Sequence, residues 1–222
     1  MDLPDGEPRN RPRPGKAAPF MFGLPWLMSF FHQDAYHDGP TPTAVVKYHF
    51  VEDLAPETVL LVRRDAQRLA AGLDAGRIDA IWRTCTDSGP NFYRRDGAAD
   101  STGWMRHIVG LCDVWLSRAP SGAALAEADL HEGWELADRV RAVLGETRGD
   151  LPPEVGDALE EAVDTCTPDL AFRLLVRALP NAPHSQPYFT ITGEQYASLT
   201  ELAAAFDYGE YALEDLDAVF DG

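Results

Sequence analysis

Apolar residues along this chain recur mainly at steps of three and four, the spacing of one helical face. The clearest run covers residues 56–73, with arginines, an aspartate and a glutamine on its other faces. Its apolar positions are Val59, Val62, Ala66, Leu69 and Leu73. A second run, over residues 102–117, is predicted to turn four large side chains towards the core. They are Trp104, Ile108, Leu111 and Trp115.

Helix start and stop signals divide the first part of the chain. Thr41 or Thr43 can cap a helix over residues 43–53. Pro56 suits the first position of the long helix that follows, because proline lacks the N–H that would be unpaired there. Gly76 is predicted to break the helical pattern before a further short helix.

Similar signals occur further along the chain. Thr167, followed by a proline and an aspartate, predicts a helix start. Thr192 and Gln195 fit a capping box, in which each side chain bonds the other residue's backbone N–H. Residues 188–191 predict at most a brief extended piece.

The predicted fold class is therefore all-α, with two small helical bundles in tandem and a disordered N-terminal arm. Five prolines within residues 1–19 predict that disorder. The predicted organisation is an arm over residues 1–19, a helical domain over 20–118, a linker over 119–130 and an acidic helical domain over 131–222.

Apolar residues make up 45% of the chain, enough for a buried core. No apolar stretch approaches the roughly 20 residues needed to span a bilayer, and the first residues do not resemble a secretory signal. Cys85, Cys112 and Cys166 are widely spaced, which favours buried thiols over a disulfide framework. We therefore expect a cytoplasmic protein without membrane contact.

Charge is distributed unevenly between residues 1–118 (the first half) and residues 119–222 (the second half). The first half holds 14 Lys and Arg against 15 Asp and Glu, and the second half holds 5 against 21. The second half thus carries −16 of the total charge of −17. Such a field repels nucleic acid and attracts cationic proteins, although acidity can also serve solubility alone.

Two segments carry candidate binding chemistry. In residues 32–38, His32, Asp34 and His37 could contribute to a metal site, bridge helices through hydrogen bonds, or contact a partner. In residues 207–221, carboxylates alternate with aromatic rings, which suits an interface with a basic protein or a solvated helix face. His107 is interpreted as a structural histidine.

Residues 20–117 resemble the immunity-protein family of bacterial contact-dependent growth inhibition systems. The resemblance rests on Phe30-Phe-His-Gln-Asp34, then Asp38-Gly39 with Thr41-Pro-Thr43, and finally Gly103-Trp-Met-Arg-His-Ile108. The chain departs from the pattern at Ala35, where an aromatic residue is expected, and has Tyr36 one position later.

Residues 151–206 also resemble, more faintly, the Maf-type immunity proteins. Ala171-Phe-Arg-Leu-Leu175 and Ile191-Thr-Gly-Glu-Gln-Tyr196 carry that resemblance. Together the two resemblances imply a fusion of two immunity modules. Such proteins are cytoplasmic antidotes that cover the active site or substrate surface of a toxin domain, which is often a nuclease.

The predicted function is therefore neutralisation of a cognate toxin domain, expected to be basic, by a non-enzymatic protein that is monomeric when free. No cofactor or metal is expected, and nucleic acid is not an expected partner. The predicted partner-binding residues are His32, Gln33, Asp34, Tyr36, Asp38, Asp207, Tyr208, Glu210, Tyr211, Glu214, Asp215 and Asp217. The alternatives are a helical adaptor for a basic non-toxin protein and a metal-dependent enzyme built on His32, Asp34 and His37.

Overall fold

The computed structural model describes residues 15–18, 20–89, 91–119, 122–182, 190–217 and 219–220. Over these residues the chain is helical and contains no strand, which confirms the all-α prediction. Short 3₁₀ turns connect several of the α-helices. The α-helices are α1 (Gly23–Met28), α2 (Pro42–His49), α3 (Pro56–Gly72), α4 (Ala75–Cys85), α5 (Ser101–Leu116), α6 (Glu127–Leu130), α7 (Ala137–Thr147), α8 (Pro153–Thr165), α9 (Pro168–Ala178), α10 (Gly193–Ala205) and α11 (Glu214–Asp217).

Most helices begin where the sequence predicted. Thr41, and not Thr43, caps α2 by accepting a hydrogen bond from the third helical N–H. Thr167 caps α9 in the same way, and Thr192 forms the predicted capping box at α10. The predicted break at Gly76 is wrong, because the Asp74 side chain caps α4 and places that glycine inside the helix.

Helix α3 is the centre of the first half. It packs against α5 along its length and against α1 at one side. The apolar face predicted for α3 is buried, and so are Trp104 and Ile108 of α5. Leu111 and Trp115 are only partly buried, and the Trp115 indole instead donates a hydrogen bond to the backbone carbonyl of Phe50.

Helix α9 has the same central role in the second half. Helices α7 and α8 pack against it, α10 packs against α7, and α11 lies against α9. Almost every side chain of α9 is buried, including that of Arg173. An arginine among Phe172, Leu174 and Leu175 requires charged partners in the interior.

The two halves share one continuous hydrophobic core. Helix α4 packs against both α8 and α9, and α3 also touches α8. Ion pairs cross the same junction, since Arg64 and Arg68 pair with Glu132, and Arg77 pairs with Glu161. Arginines of the first half therefore neutralise some of the acids that give the second half its excess charge.

The segments predicted to lack regular structure are partly ordered. Residues 15–18 form a 3₁₀ turn that buries Lys16, so order begins before Phe20, and residues 1–14 lie outside the described residues. Within the predicted linker lies the short helix α6. Of the predicted extended piece at 188–191, Tyr188 and Phe189 are also outside, while Ile191 forms an isolated bridge with Phe220.

Among the helices described, none is both long and apolar enough to cross a membrane. All three cysteines are free and buried, which confirms the prediction of buried thiols. Burial raises the pKa of Cys85 and Cys112 to about 12 and that of Cys166 to about 11. The thiols are therefore protonated near neutral pH and are poor nucleophiles.

Candidate partner-binding surfaces

The segment 32–38 lies on the surface beside the loop that follows α4. The backbone N–H of Asp87 donates to the carbonyl of Phe31 at 2.8 Å, and its carboxylate accepts from the N–H of Gln33 at 3.2 Å. These bonds fix the segment while leaving four of the predicted side chains exposed. They are His32, Gln33, Asp34 and Tyr36.

A cleft of about 300 Å³ opens between this segment, the start of α2 and residues 87–89 and 91–95. Phe31 and Phe92 form its aromatic wall and pack behind it against Trp82 and Trp104. His32, Tyr36 and several other polar side chains form its rim. They include Ser88, Asn91 and Arg95. The cleft thus has a rigid apolar wall and a polar opening.

The histidines of the first half are held by hydrogen bonds or ring stacking. His49 pairs with Asp38 at 2.9 Å, and His107 bonds the Thr43 hydroxyl at 2.7 Å, as a structural histidine should. His32 accepts a hydrogen bond from the N–H of Asp34, and the His37 ring lies 3.9 Å from that of Tyr36. Over the described part of the chain, no three metal-binding side chains converge.

The acidic segment, of which residues 207–217 and 219–220 are described, contacts α9 through α11. Asp207, Glu210 and Glu214 are exposed and make no ion pair with any described residue. Asp215 pairs with Arg177 at 2.9 Å, and Asp217 accepts a hydrogen bond from Tyr196 at 2.8 Å. Three of the five predicted carboxylates in this segment are therefore available to a partner.

The two predicted tyrosines of the acidic segment point in opposite directions. The Tyr208 hydroxyl donates to Asp169 at 2.9 Å, and its ring meets Phe22 edge-on at 5.6 Å. Tyr208 is therefore partly buried with its hydroxyl bonded to a buried aspartate, and its role in partner binding stays a prediction. Tyr211 is 46% exposed and stacks on Phe20, which is 52% exposed, with the ring centroids 5.6 Å apart.

Five buried ionic groups, which we call the junction cluster, connect the halves beneath these tyrosines. Its members are Lys16, Asp65, Asp129, Asp169 and Arg173. The Arg173 guanidinium donates two hydrogen bonds to Asp65, at 2.7 and 3.0 Å, and two to Asp169, at 3.1 and 2.8 Å. Lys16 approaches Asp169 to 3.3 Å, and its backbone N–H donates to Asp129 at 2.7 Å.

In the junction cluster, charge pairing shifts the pKa values of Asp169 and Arg173 further than burial shifts them in the opposite direction. Burial alone would raise the pKa of Asp169, but the charges of Arg173 and Lys16 and the hydrogen bonds to Asp169 hold it below its ordinary value. Burial would lower the pKa of Arg173, whereas the two aspartates raise it well above its ordinary value. Burial and the charge of Asp169 both raise the pKa of Tyr208.

Sequence reasoning missed Phe20 and the junction cluster. In the sequence, Phe20 is only the first residue of the predicted helical domain, and Asp169 is only the aspartate that follows Thr167 and a proline at a predicted helix start. A signal for Arg173 existed, since it interrupts the apolar sequence from Phe172 to Val176. No comparable signal marked Lys16, which belongs to a proline-rich polar stretch.

Comparisons with protein-family models, curated proteins and solved structures give no match for this chain. The chemistry of the surfaces described above therefore carries the functional argument.

Proposed function

We propose that this protein is an immunity protein that binds a basic toxin domain and covers its active or substrate-binding surface. The observation that carries the proposal is a pair of exposed, stacked aromatic rings in a segment whose exposed carboxylates Asp207, Glu210 and Glu214 pair with no cation among the described residues. Aromatic anchors surrounded by charge are typical of tight protein interfaces. The resemblance of residues 20–117 to an immunity family agrees with this function.

The remaining exposed carboxylates of the second half extend the negative field beyond the acidic segment. Those with no side-chain partner among the described residues include Glu127, Glu146, Glu154, Glu194 and Glu201. A field of this sign accelerates encounter with a cationic protein and competes with a polyanionic substrate. A nuclease toxin, whose substrate is nucleic acid, would be the appropriate target of such competition.

Growth rescue tests the function directly. We expect co-expression of this chain with the toxin domain encoded by the adjacent gene to restore growth. The triple variant Asp207→Asn, Glu210→Gln and Glu214→Gln should lose most of that protection. A control variant, Glu127→Gln with Glu146→Gln and Glu154→Gln, changes the net charge equally outside the acidic segment and should protect. Failure of the wild-type chain to rescue growth would refute the proposal.

The salt dependence of binding tests the electrostatic mechanism. We expect the association rate with the toxin domain to fall on the order of 10-fold or more between about 50 and 500 mM NaCl. Stopped-flow fluorescence or surface plasmon resonance can measure that rate. A rate that stays flat over this range would show that charge does not steer the encounter.

A further inference from the structure

In the interior of the protein, the Arg173 guanidinium is bound by an aromatic ring and by two carboxylates. The Arg173 guanidinium lies 4.5 Å from the centroid of the Phe22 ring. Asp65 and Asp169 hold the same guanidinium through hydrogen bonds, and Tyr208 closes the site beside Phe22. A planar cation is thus held by an aromatic face and by carboxylates together.

Lys16 occupies a second arrangement of the same kind. Its ammonium lies 5.3 Å from the centroid of the Phe206 ring and 3.3 Å from the carboxylate of Asp169. It also donates to the carbonyl of His131. Both buried cations of the junction cluster are therefore paired with a ring as well as with an acid.

A second set of aromatic rings and carboxylates lies at the surface, and it pairs with no cation among the described residues. We call Phe22 and Tyr208 the inner aromatic pair, and Phe20 and Tyr211, two and three residues away along the same segments, the outer aromatic pair. The outer rings are stacked and half-exposed. Three carboxylates near Tyr211 in the sequence are exposed and pair with no cation in the described residues. They are Asp207, Glu210 and Glu214.

We propose that the outer aromatic pair, together with the carboxylates of Asp207, Glu210 and Glu214, forms a site that binds an arginine side chain of the partner. This inference rests on the proposed function, because it names the group by which the basic partner is recognised. Arginine fits better than lysine, since a planar guanidinium can stack on a ring and bond a carboxylate with two parallel N–H groups. An ammonium is more strongly hydrated and offers only a point charge.

The surrounding structure holds the site in place before a partner arrives. Tyr211 is followed by the buried Ala212, whose N–H donates to Gly209, and the N–H of Glu214 donates to the Tyr211 carbonyl. Phe20 lies two residues before Phe22, which packs against Arg173. Because both rings are anchored through neighbouring buried residues, binding requires little further ordering.

Fluorescence anisotropy with two labelled peptides tests the assignment. One peptide alternates glycine with arginine, and the other alternates glycine with lysine at equal length and charge. The full-length protein should bind the arginine peptide about 5-fold more tightly, which corresponds to about 1 kcal/mol of additional stacking and two-N–H hydrogen-bond energy for arginine over lysine. Tyr211→Leu and Phe20→Leu should each reduce this ratio towards 1.

Matched variants distinguish the effect of losing an outer aromatic ring from nonspecific effects of a substitution on peptide binding. Tyr211→Phe keeps the ring and should keep the arginine preference. Tyr36→Leu removes an aromatic side chain that is 66% exposed in the first half and should also leave the preference unchanged. Equal binding of the two peptides by the wild-type protein, or a preference that survives loss of both outer rings, would overturn the assignment.

The alternative occupant is an arginine of the same chain. Replacing Arg9, Arg11 and Arg13 with glutamine should leave the affinity for the arginine peptide within about 2-fold, after allowance for the change in net charge. An increase beyond about 5-fold that also requires Tyr211 would assign the site to the chain's own arginines. If the wild-type protein binds the two peptides equally but still rescues growth, this site is rejected and the proposed function stands.

Discussion

The inner and outer aromatic pairs belong to the same two chain segments but have opposite environments. Phe22 and Tyr208 meet Arg173 and Asp169, and together they fill the junction between the halves. Phe20 and Tyr211 stack on each other at the surface, and three exposed carboxylates close to Tyr211 in the sequence pair with no cation among the described residues. The same chemical groups thus contribute to stability when their charges are paired inside, and provide a binding surface when they are left unpaired outside.

The largest expected effect is the loss of the inner cation. Arg173→Met leaves Asp65 and Asp169 buried with fewer partners, and should lower the free energy of unfolding by about 3–5 kcal/mol in urea titration. Arg141→Met is the matched control, since its partners Asp138 and Asp164 are exposed and the cost should stay below about 1 kcal/mol. Equal losses for the two variants would contradict the distinction between inner and outer charges.

A glycine substitution tests how tightly the inner site is packed. Gly23 has a φ of +65°, and a Cβ there would collide with the Asp65 carboxylate and lie 2.7 Å from Arg173 Nη1. Gly23→Ala should therefore cost about 2–4 kcal/mol. Gly97 has a similar φ of +80°, but no atom lies within 4 Å of the position that its Cβ would take. Gly97→Ala should therefore cost only the backbone strain, about 1–2 kcal/mol. If the unfolding curves of Gly23→Ala and Gly97→Ala had the same midpoint, the close packing around Gly23 would be refuted.

The acid dependence of stability should separate a buried carboxylate from exposed ones. The pKa of Asp169 is held below its ordinary value of 3.8, so its stabilising effect is present above that pH and is lost as the pH falls through the folded-state value. Asp169→Asn should be less stable than wild type at pH 7, and the difference should narrow below pH 3.8. Urea titration at each pH measures this difference, and a difference that stays constant through this pH range would contradict the pairing of the buried carboxylate.

The smallest effect on stability is expected at the outer aromatic pair. Phe20→Leu and Tyr211→Leu should each change the free energy of unfolding by less than about 1 kcal/mol, because both rings are half-exposed. Thermal denaturation can measure this change with the same samples used for peptide binding. A loss comparable to that of Arg173→Met would show that the outer rings are structural, which would remove the contrast between the pairs.

The fold class could be predicted from sequence because its signals are local. Thr167 and Thr192 cap helices through side-chain bonds to residues three positions later, and the apolar face of α3 follows from spacing alone. The break assigned to Gly76 was wrong for a local reason as well, since Asp74 is the better capping residue. The candidate site was predicted only in part. Glu210, Tyr211 and Glu214 are exposed, whereas Tyr208 is partly buried and its hydroxyl is bonded to Asp169.

Composition and periodicity by themselves determined that this chain is helical and that its excess negative charge belongs to the second half. Only the tertiary structure decided which charges are neutralised. Lys16 meets Asp169 across 153 positions, and Arg173 meets Asp65 across 108. Such pairings depend on the tertiary arrangement that brings α9 to Asp65 of α3 and to the 3₁₀ turn at Gly15–Ala17, which no local pattern encodes. The same packing turns Tyr208 inward and leaves Phe20 and Tyr211 together at the surface.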